Sequence, residues 1–183
     1  MNHEKLIESR QIYRGRIVSL RVDQVELPSG RRTTREIVEH PSSVAIVAID
    51  PEENVLLVSQ FRRAIGRELL EIPAGKLEPG EEPIQCANRE LREETGYLAQ
   101  EMKKLGGFYA SPGFCSEFFH LYLATKLKPT GQSFNPDEID RLVRVPLSKI
   151  SALITSGEIC DAKSVAGLLL AINILLNSGK TKI

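Results

Sequence analysis

Between Gly75 and Tyr97 the chain reads GKLEPGEEPIQCANRELREETGY, and no other stretch limits the fold so tightly. Pro79-Gly80 marks a turn, Pro83 stands where a helix can begin and Gly96 where one can end, which leaves room for about three turns of helix. On a helical wheel Glu90, Glu93 and Glu94 share one narrow face, because positions three and four apart are neighbours. Ile84, Ala87 and Leu91 fall to one side of that face and offer an apolar stripe to a core. Like charges at these spacings cost an isolated helix on the order of a few tenths of a kcal/mol per pair. Only Lys76, Arg89 and Arg92 oppose the five glutamates Glu81, Glu82, Glu90, Glu93 and Glu94. A solvated face would alternate its signs. Stacked carboxylates without a matching lysine row ask for a cation, and oxygen-only ligands suit a hard one such as Mg²⁺ or Mn²⁺. A plain acidic surface helix is the alternative.

The full spacing separates the two. The stretch fills Gly-x5-Glu-x7-Arg-Glu-U-x-Glu-Glu-x-Gly-U, where U is a bulky apolar residue, with Gly75, Glu81, Arg89, Glu90, Leu91, Glu93, Glu94 and Gly96 in order. Tyr97 fills the last place with an aromatic instead of an aliphatic. This is the Nudix box, and the chain resembles a Nudix hydrolase. The resemblance implies a loop–helix–loop site that binds a divalent metal and hydrolyses a diphosphate linked to another moiety.

Composition agrees with a soluble folded chain and argues against other classes. A length of 183 residues suits one domain with a small extra element, and 42% hydrophobic with 26% charged residues is ordinary for a globular chain. The formal net charge is zero, so no nucleic-acid or membrane surface driven by bulk charge is expected. No apolar run is long enough to span a bilayer, and MNHEKLIESR lacks the apolar stretch of a signal peptide. Cys86, Cys115 and Cys160 are scattered without CxxC spacing, which points to a reduced, cytoplasmic chain. His3, His40 and His120 share no metal-ligand spacing.

Taken in order, residues 1–40 read as a β-strand subdomain for dimerisation and 41–183 as the hydrolase domain. Ile17 to Leu27 alternates, Ser29-Gly30 turns and Arg31 to Val38 returns, a hairpin that must lie on something to be stable, either the main domain or a second copy of the chain. Pro41 breaks the chain before the apolar run Ser43–Asp50, which suits a central, doubly covered strand with Val55–Val58 as partner, although periodicity alone leaves a buried helix open. Glu68–Leu77 leads into the box as a short strand. Strands follow at Gln100–Tyr109, Phe118–Ala124 and Ile139–Val145. Ser148 can cap a helix to about Ser156, and a last helix over Asp161–Asn177 is too apolar to be anything but core. Strands around one acidic helix, with two more helices at the C-terminus, make an α+β fold: a mixed sheet sandwiched between helices.

The box and its flanks suggest roles. Glu90 and Glu94, one turn apart, are the best metal ligands; Glu93 could ligate a second metal or accept a proton. Arg89 is placed to hold a box glutamate. Metal-committed glutamates are poor bases. Within the family the chain most resembles the ADP-ribose pyrophosphatase branch, and the resemblance implies further residues. The carbonyl of Ala74 is a metal ligand there. Gln60-x-Arg62 carries the phosphate-binding arginine. Pro112, fifteen residues after Tyr97, opens a pocket wall of Gly113, Phe114 and Glu117, with Glu117 on the terminal ribose; Cys115-Ser116 departs from the usual small residue followed by Asp. The general base sits on a mobile loop, where Glu138 aligns best, leaving Glu93 and Glu138 as the two candidates. N-terminal strands cross to the partner of a homodimer and help line the adenine pocket, which makes Arg35 and Glu36 candidates for base recognition. The activity implied is Mg²⁺-dependent hydrolysis of ADP-ribose to AMP and ribose 5-phosphate. Alternatives are another nucleoside diphosphate sugar such as GDP-mannose, or a silent nucleotide-sensing domain.

Overall fold

A computed structural model of the chain describes residues 3–131 and 139–177. Its backbone divides into two units, one holding the chain up to Ser42 with Tyr109–Phe118, the other Ser43–Phe108 with Phe119 onward.

The first unit is a three-stranded antiparallel sheet in the order β1 (Lys5–Arg14), β2 (Ser19–Glu26), β3 (Arg32–Glu39). The hairpin read from the sequence joins β2 to β3, in register from Ser19↔Glu39 to Glu26↔Arg32. Its turn is closed by the Leu27 N–H donating to Arg31 O at 2.9 Å, with Gly30 at φ 81°, where a side chain would strain the backbone. β1 is a third strand laid along the free edge of β2. The hairpin's Leu20, Val22, Val25, Leu27, Ile37 and Val38 are buried or half-buried, while Ile17 at its start and Leu6, Ile12 and Tyr13 of β1 are exposed. The 109–118 segment clips onto β3, as the Val38 N–H donates to Phe114 O at 2.7 Å and the Ser116 N–H to Val38 O at 3.0 Å.

The second unit is built on a seven-stranded mixed sheet. Its path is β10 (Arg141–Pro146), β5 (Asn54–Arg62), β4 (Ser43–Ile49), β9 (Phe118–Pro129), β8 (Tyr97–Tyr109), with β6 (Arg67–Glu71) on β5 and β7 (Ala74–Lys76) on β4. β4 runs parallel to β9 and every one of its residues is buried, the mark of a strand covered on both faces. Alternation sends Val44, Ile46 and Ala48 to one face, where they share a core with Leu56, Tyr122 and Cys86, Ala87 and Leu91 of helix α1 (Pro83–Thr95). Cys86 takes the inward place expected of Ile84, which is exposed. Truncating Leu91 to alanine there would cost about 2–5 kcal/mol.

The opposite face is covered by α3 (Ala162–Asn177). A Cβ on Gly167 would stand 2.9 Å from the Cδ1 atoms of Ile72 and Leu121, so only glycine lets α3 lie this close to the sheet. The helix is core on one side only: Leu168, Ala171 and Ile172 are buried, but Leu169 and Leu176 are 46% and 47% exposed, against the expectation of a wholly buried segment. Ser148 does not cap a helix either. It lies in a 3-10 turn, Leu147–Lys149, and the short helix α2 (Ile150–Ser156) starts after it without a side-chain cap. Most of the polar loop after Thr130, and the last residues from 178, lie outside the described residues.

Candidate active site

Local sequence sets α1 in place. The Glu82 N–H donates to the Gln85 side chain at 3.1 Å, Pro83 occupies the first turn, and Gly96 ends the helix at φ 73° with its N–H on Arg92 O at 2.9 Å. β7 pairs with β4 through Val44↔Gly75, which brings Ala74–Lys76 alongside α1. Glu90 then lies against Gly75 so closely that a Cβ at residue 75 would stand 1.9 Å from the Glu90 Cδ. Glu94 is buried at 8% exposure and accepts the Ala74 N–H at 2.9 Å, whereas the Glu93 side chain is 47% exposed. The three carboxylates of the shared face therefore sit in three environments.

Arg89 ties the helix to its entry loop. Its Nε and Nη2 each donate to Glu81 at 2.9 Å, its Nη1 donates to Glu90 at 2.7 Å and Glu93 at 3.3 Å, and Nη2 also reaches Lys76 O at 3.3 Å. This two-pronged fork holds the Glu81 carboxyl down at about 2. Burial does the opposite to Glu94: it pushes that carboxyl up to about 8, partly countered by the Ala74 N–H and reinforced by the Glu90 charge. Burial also raises the Cys86 thiol to about 12, which makes it an inert core residue.

The donor set fits a hard divalent cation. It is all oxygen, it includes a buried carboxylate held against its own charge, and the space a side chain at 75 would fill is taken by the Glu90 carboxylate. Among the described residues no three His, Cys, Asp or Glu groups are gathered at metal-holding spacing; Glu90 accepts from Arg89 and Glu94 from the Ala74 N–H. Glu90, Glu94, Glu93 and the Ala74 carbonyl are the groups that would hold the ion.

Arg62, at the end of β5, lies in the same unit as these residues. Its Nε donates to Glu71 Oε1 at 2.8 Å and its Nη2 to Oε2 at 2.6 Å, while the side chain stays 41% exposed. Glu71 in turn accepts from the buried Lys163 Nζ, which also donates to Asp161 Oδ2 at 2.9 Å. Burial alone would raise the Glu71 carboxyl; the Arg62 hydrogen bonds and the Lys163 charge outweigh it and hold the group below its ordinary value. Sequence reasoning gave no role to Glu71 or to Lys163. The available signal was an acid just before the apolar Ile72-Pro73-Ala74 and a lone base at the head of an apolar helix.

The remaining candidates fall in the first unit. Arg35 pairs with Glu4, and Glu36 is exposed. Gly113 and Phe114 are exposed on the 109–118 segment, where Tyr109 and Phe118 pack edge to face at 5.0 Å. Glu117 lies 3.4 Å from His40 Nδ1. Thus Arg62, Ala74, Arg89, Glu90, Glu93 and Glu94 share one unit and Arg35, Glu36, Gly113, Phe114 and Glu117 the other. Glu138 lies outside the described residues.

Comparison with known proteins matches the family model described as NUDIX domain over residues 39–168, and that of the nucleoside diphosphate sugar hydrolase N-terminal domain over 4–38. The chain is 44% identical over 163 residues to an ADP-ribose pyrophosphatase of Bacillus subtilis, covering 88% of each. It is also 44% identical over 164 residues to the methanol dehydrogenase activator of Bacillus methanolicus, covering 88% of this chain and 89% of that one. A crystal structure of an ADP compounds hydrolase superposes with a TM-score of 0.87 at 24% identity, covering 97% of both chains, which supports the fold.

Proposed function

Because this chain belongs to the Nudix family of hydrolases, we propose that it hydrolyses the diphosphate of ADP-ribose to AMP and ribose 5-phosphate with Mg²⁺ or Mn²⁺. The observation that carries the substrate is the Bacillus subtilis relative, alike over nearly the whole of both chains and itself an ADP-ribose pyrophosphatase.

In this reaction a water oxygen attacks one phosphorus, and the bond from that phosphorus to the bridging oxygen breaks with its electron pair leaving on the second phosphate. Negative charge gathers on the phosphoryl oxygens, so catalysis is positioning and electrostatics. A bound divalent cation supplies charge neutralisation and an acidified water. In our reading Glu90, Glu94 and the Ala74 carbonyl would hold that cation, Glu93 would join them only where Glu138 is the base, and Arg89 keeps Glu90 and Glu81 in place. Arg62 clamps phosphate oxygens, and Glu93 or Glu138 takes the proton of the attacking water. Arg35 and Glu36 recognise the base; Gly113, Phe114 and Glu117 line the ribose pocket. The exposed apolar side chains of β1 support a homodimer through the first unit. The three free cysteines support a reducing, cytoplasmic setting.

The Bacillus methanolicus relative favours a second reading, in which the domain activates a dehydrogenase. The intact glutamates of α1 keep hydrolysis first. Nucleotide chromatography on ADP-ribose, GDP-mannose, UDP-glucose and diadenosine polyphosphates with Mg²⁺ tests it. The highest kcat/KM should fall to ADP-ribose; a tenfold preference for GDP-mannose, on the order of 1.4 kcal/mol in transition-state binding, would move the chain to another branch.

A further inference from the structure

We propose that Glu71 and Lys163 are positioning residues that fix the guanidinium of Arg62 in the orientation it needs to clamp phosphate, an inference that rests on the hydrolase reading above.

Glu71 closes β6 and is 1% exposed; Lys163 stands in the first turn of α3 at 7%. Two buried charges of this kind persist only when paired and hydrogen-bonded, and apolar residues of similar volume usually serve stability as well. Their arrangement is aimed at Arg62. Glu71 occupies the Nε–Nη2 edge with both of its oxygens, at 2.8 and 2.6 Å, so the planar fork is fixed in direction. Among the described residues no side chain takes the Nη1 edge, which leaves it for another acceptor. Lys163 pins the same Glu71 Oε2 from behind, so the carboxylate cannot swing with the arginine.

Lys163 is itself anchored. Asp161 Oδ2 accepts from Lys163 Nζ at 2.9 Å, from the Ser164 N–H at 3.0 Å and from the Ser164 hydroxyl at 2.5 Å. Ser164 Oγ then accepts the Ile72 N–H at 2.9 Å. Two residues on, the Ala74 N–H holds Glu94. One chain of hydrogen bonds and backbone thus joins the head of α3 to Arg62 on one side and to Glu94 on the other. The cluster holds two cations, Arg62 and Lys163, against two anions, Glu71 and Asp161. Its charges cancel, and the arginine edge is preorganised before any phosphate arrives.

The test is a mutant cycle on kinetics of whichever diphosphate the unsubstituted enzyme hydrolyses best. Glu71→Gln with Lys163→Met removes one charge of each sign and leaves the cluster neutral. It should raise KM roughly tenfold with a smaller change in kcat. In an Arg62→Ala background the same pair should change KM by less than about twofold, because the group it positions is gone. Glu71→Asp, which keeps every charge but draws the carboxylate back, should reproduce the KM rise and serves if the double variant fails to fold. Equal losses in both backgrounds would reduce the cluster to a structural role and overturn the inference while leaving the hydrolase reading intact. No KM change from either variant would overturn it too. An Arg62→Ala enzyme with unchanged KM would refute the phosphate clamp itself, and the inference with it.

Discussion

Replacing Gly75 with alanine perturbs the site through one methyl group. Gly75 has no positive φ, so alanine meets no backbone strain there. Its Cβ would instead stand 1.9 Å from Glu90 Cδ, 2.0 Å from Oε1 and 2.5 Å from Oε2. Carbon atoms settle at about 3.5–4.0 Å, so the carboxylate must retreat by roughly 1.5–2 Å. That retreat gives up the hydrogen bond from Arg89 Nη1, now 2.7 Å long. Bonds to charged groups are worth about 1.5–3 kcal/mol, which for a chain of this size lowers the melting temperature by roughly 3–12 °C. Misplacing a group in the reaction by about 1 Å costs on the order of a hundredfold. Gly75→Ala should therefore fold, melt a few degrees early and lose about two orders of magnitude in kcat for AMP release from ADP-ribose with Mg²⁺. A variant that melts and turns over like the parent would refute the placement of Glu90 against Gly75.

Other outcomes follow from the same geometry. Glu94→Gln should lower kcat roughly a hundredfold or more, and EDTA should abolish activity of the parent. In the metal-free protein the Glu94 carboxyl titrates at about 8 when folded, above the 4.5 of an ordinary glutamate, so its contribution is fully present below 4.5 and lost as pH rises to 8. Melting curves in EDTA should show that decline in the parent and a shallower one in Glu94→Gln; parallel curves would contradict it. Glu81 behaves oppositely: its carboxyl is depressed to about 2, so its stabilisation holds above 4.5 and fades as pH falls towards 2. Arg89→Lys, which cannot form the fork, should unfold at a higher pH on acidification, followed by circular dichroism. Light scattering after size exclusion should find about twice the 20.4 kDa chain mass, and a monomer that keeps full activity would leave the dimer unsupported.

Where the sequence was legible, local physics sufficed. Helix α1 begins at Pro83 and ends at Gly96 because the ring of the one and the left-handed freedom of the other act within a single turn. β4 was legible because a run of seven buried residues has no other use in so short a segment. β1 was read only as part of a strand-like stretch from Ile7, its bounds hidden: its ten exposed residues alternate nothing with a core, and it pairs along the edge of β2. The split of Glu68–Leu77 into β6 and β7 was equally hidden, since one half pairs with β5 and the other with β4. For α3, periodicity could not tell a helix covered all round from one covered on one side.

The candidate site divides along the same line. A helical wheel assigns Glu90, Glu93 and Glu94 to one face, but a wheel has no neighbours on it. The neighbours decide that Glu94 is buried under the Ala74 N–H, that Glu90 fills the hollow of Gly75 and that Glu93 reaches solvent beside Arg89. Two carboxylates one turn apart thus carry opposite electrostatic signatures: Glu90 lies in an arginine's field, while burial drives Glu94 towards its neutral form. The wheel treats them as equals, yet the first is already compensated and the second is the one with most to gain from a cation. Glu71 and Lys163 mark the limit more sharply. They stand 92 positions apart; Glu71 closes a strand with two other charged residues and Lys163 heads an apolar helix, and each taken alone more often means a surface edge. Only when β6 and the head of α3 are brought together does the pair acquire a shared object, the guanidinium of Arg62.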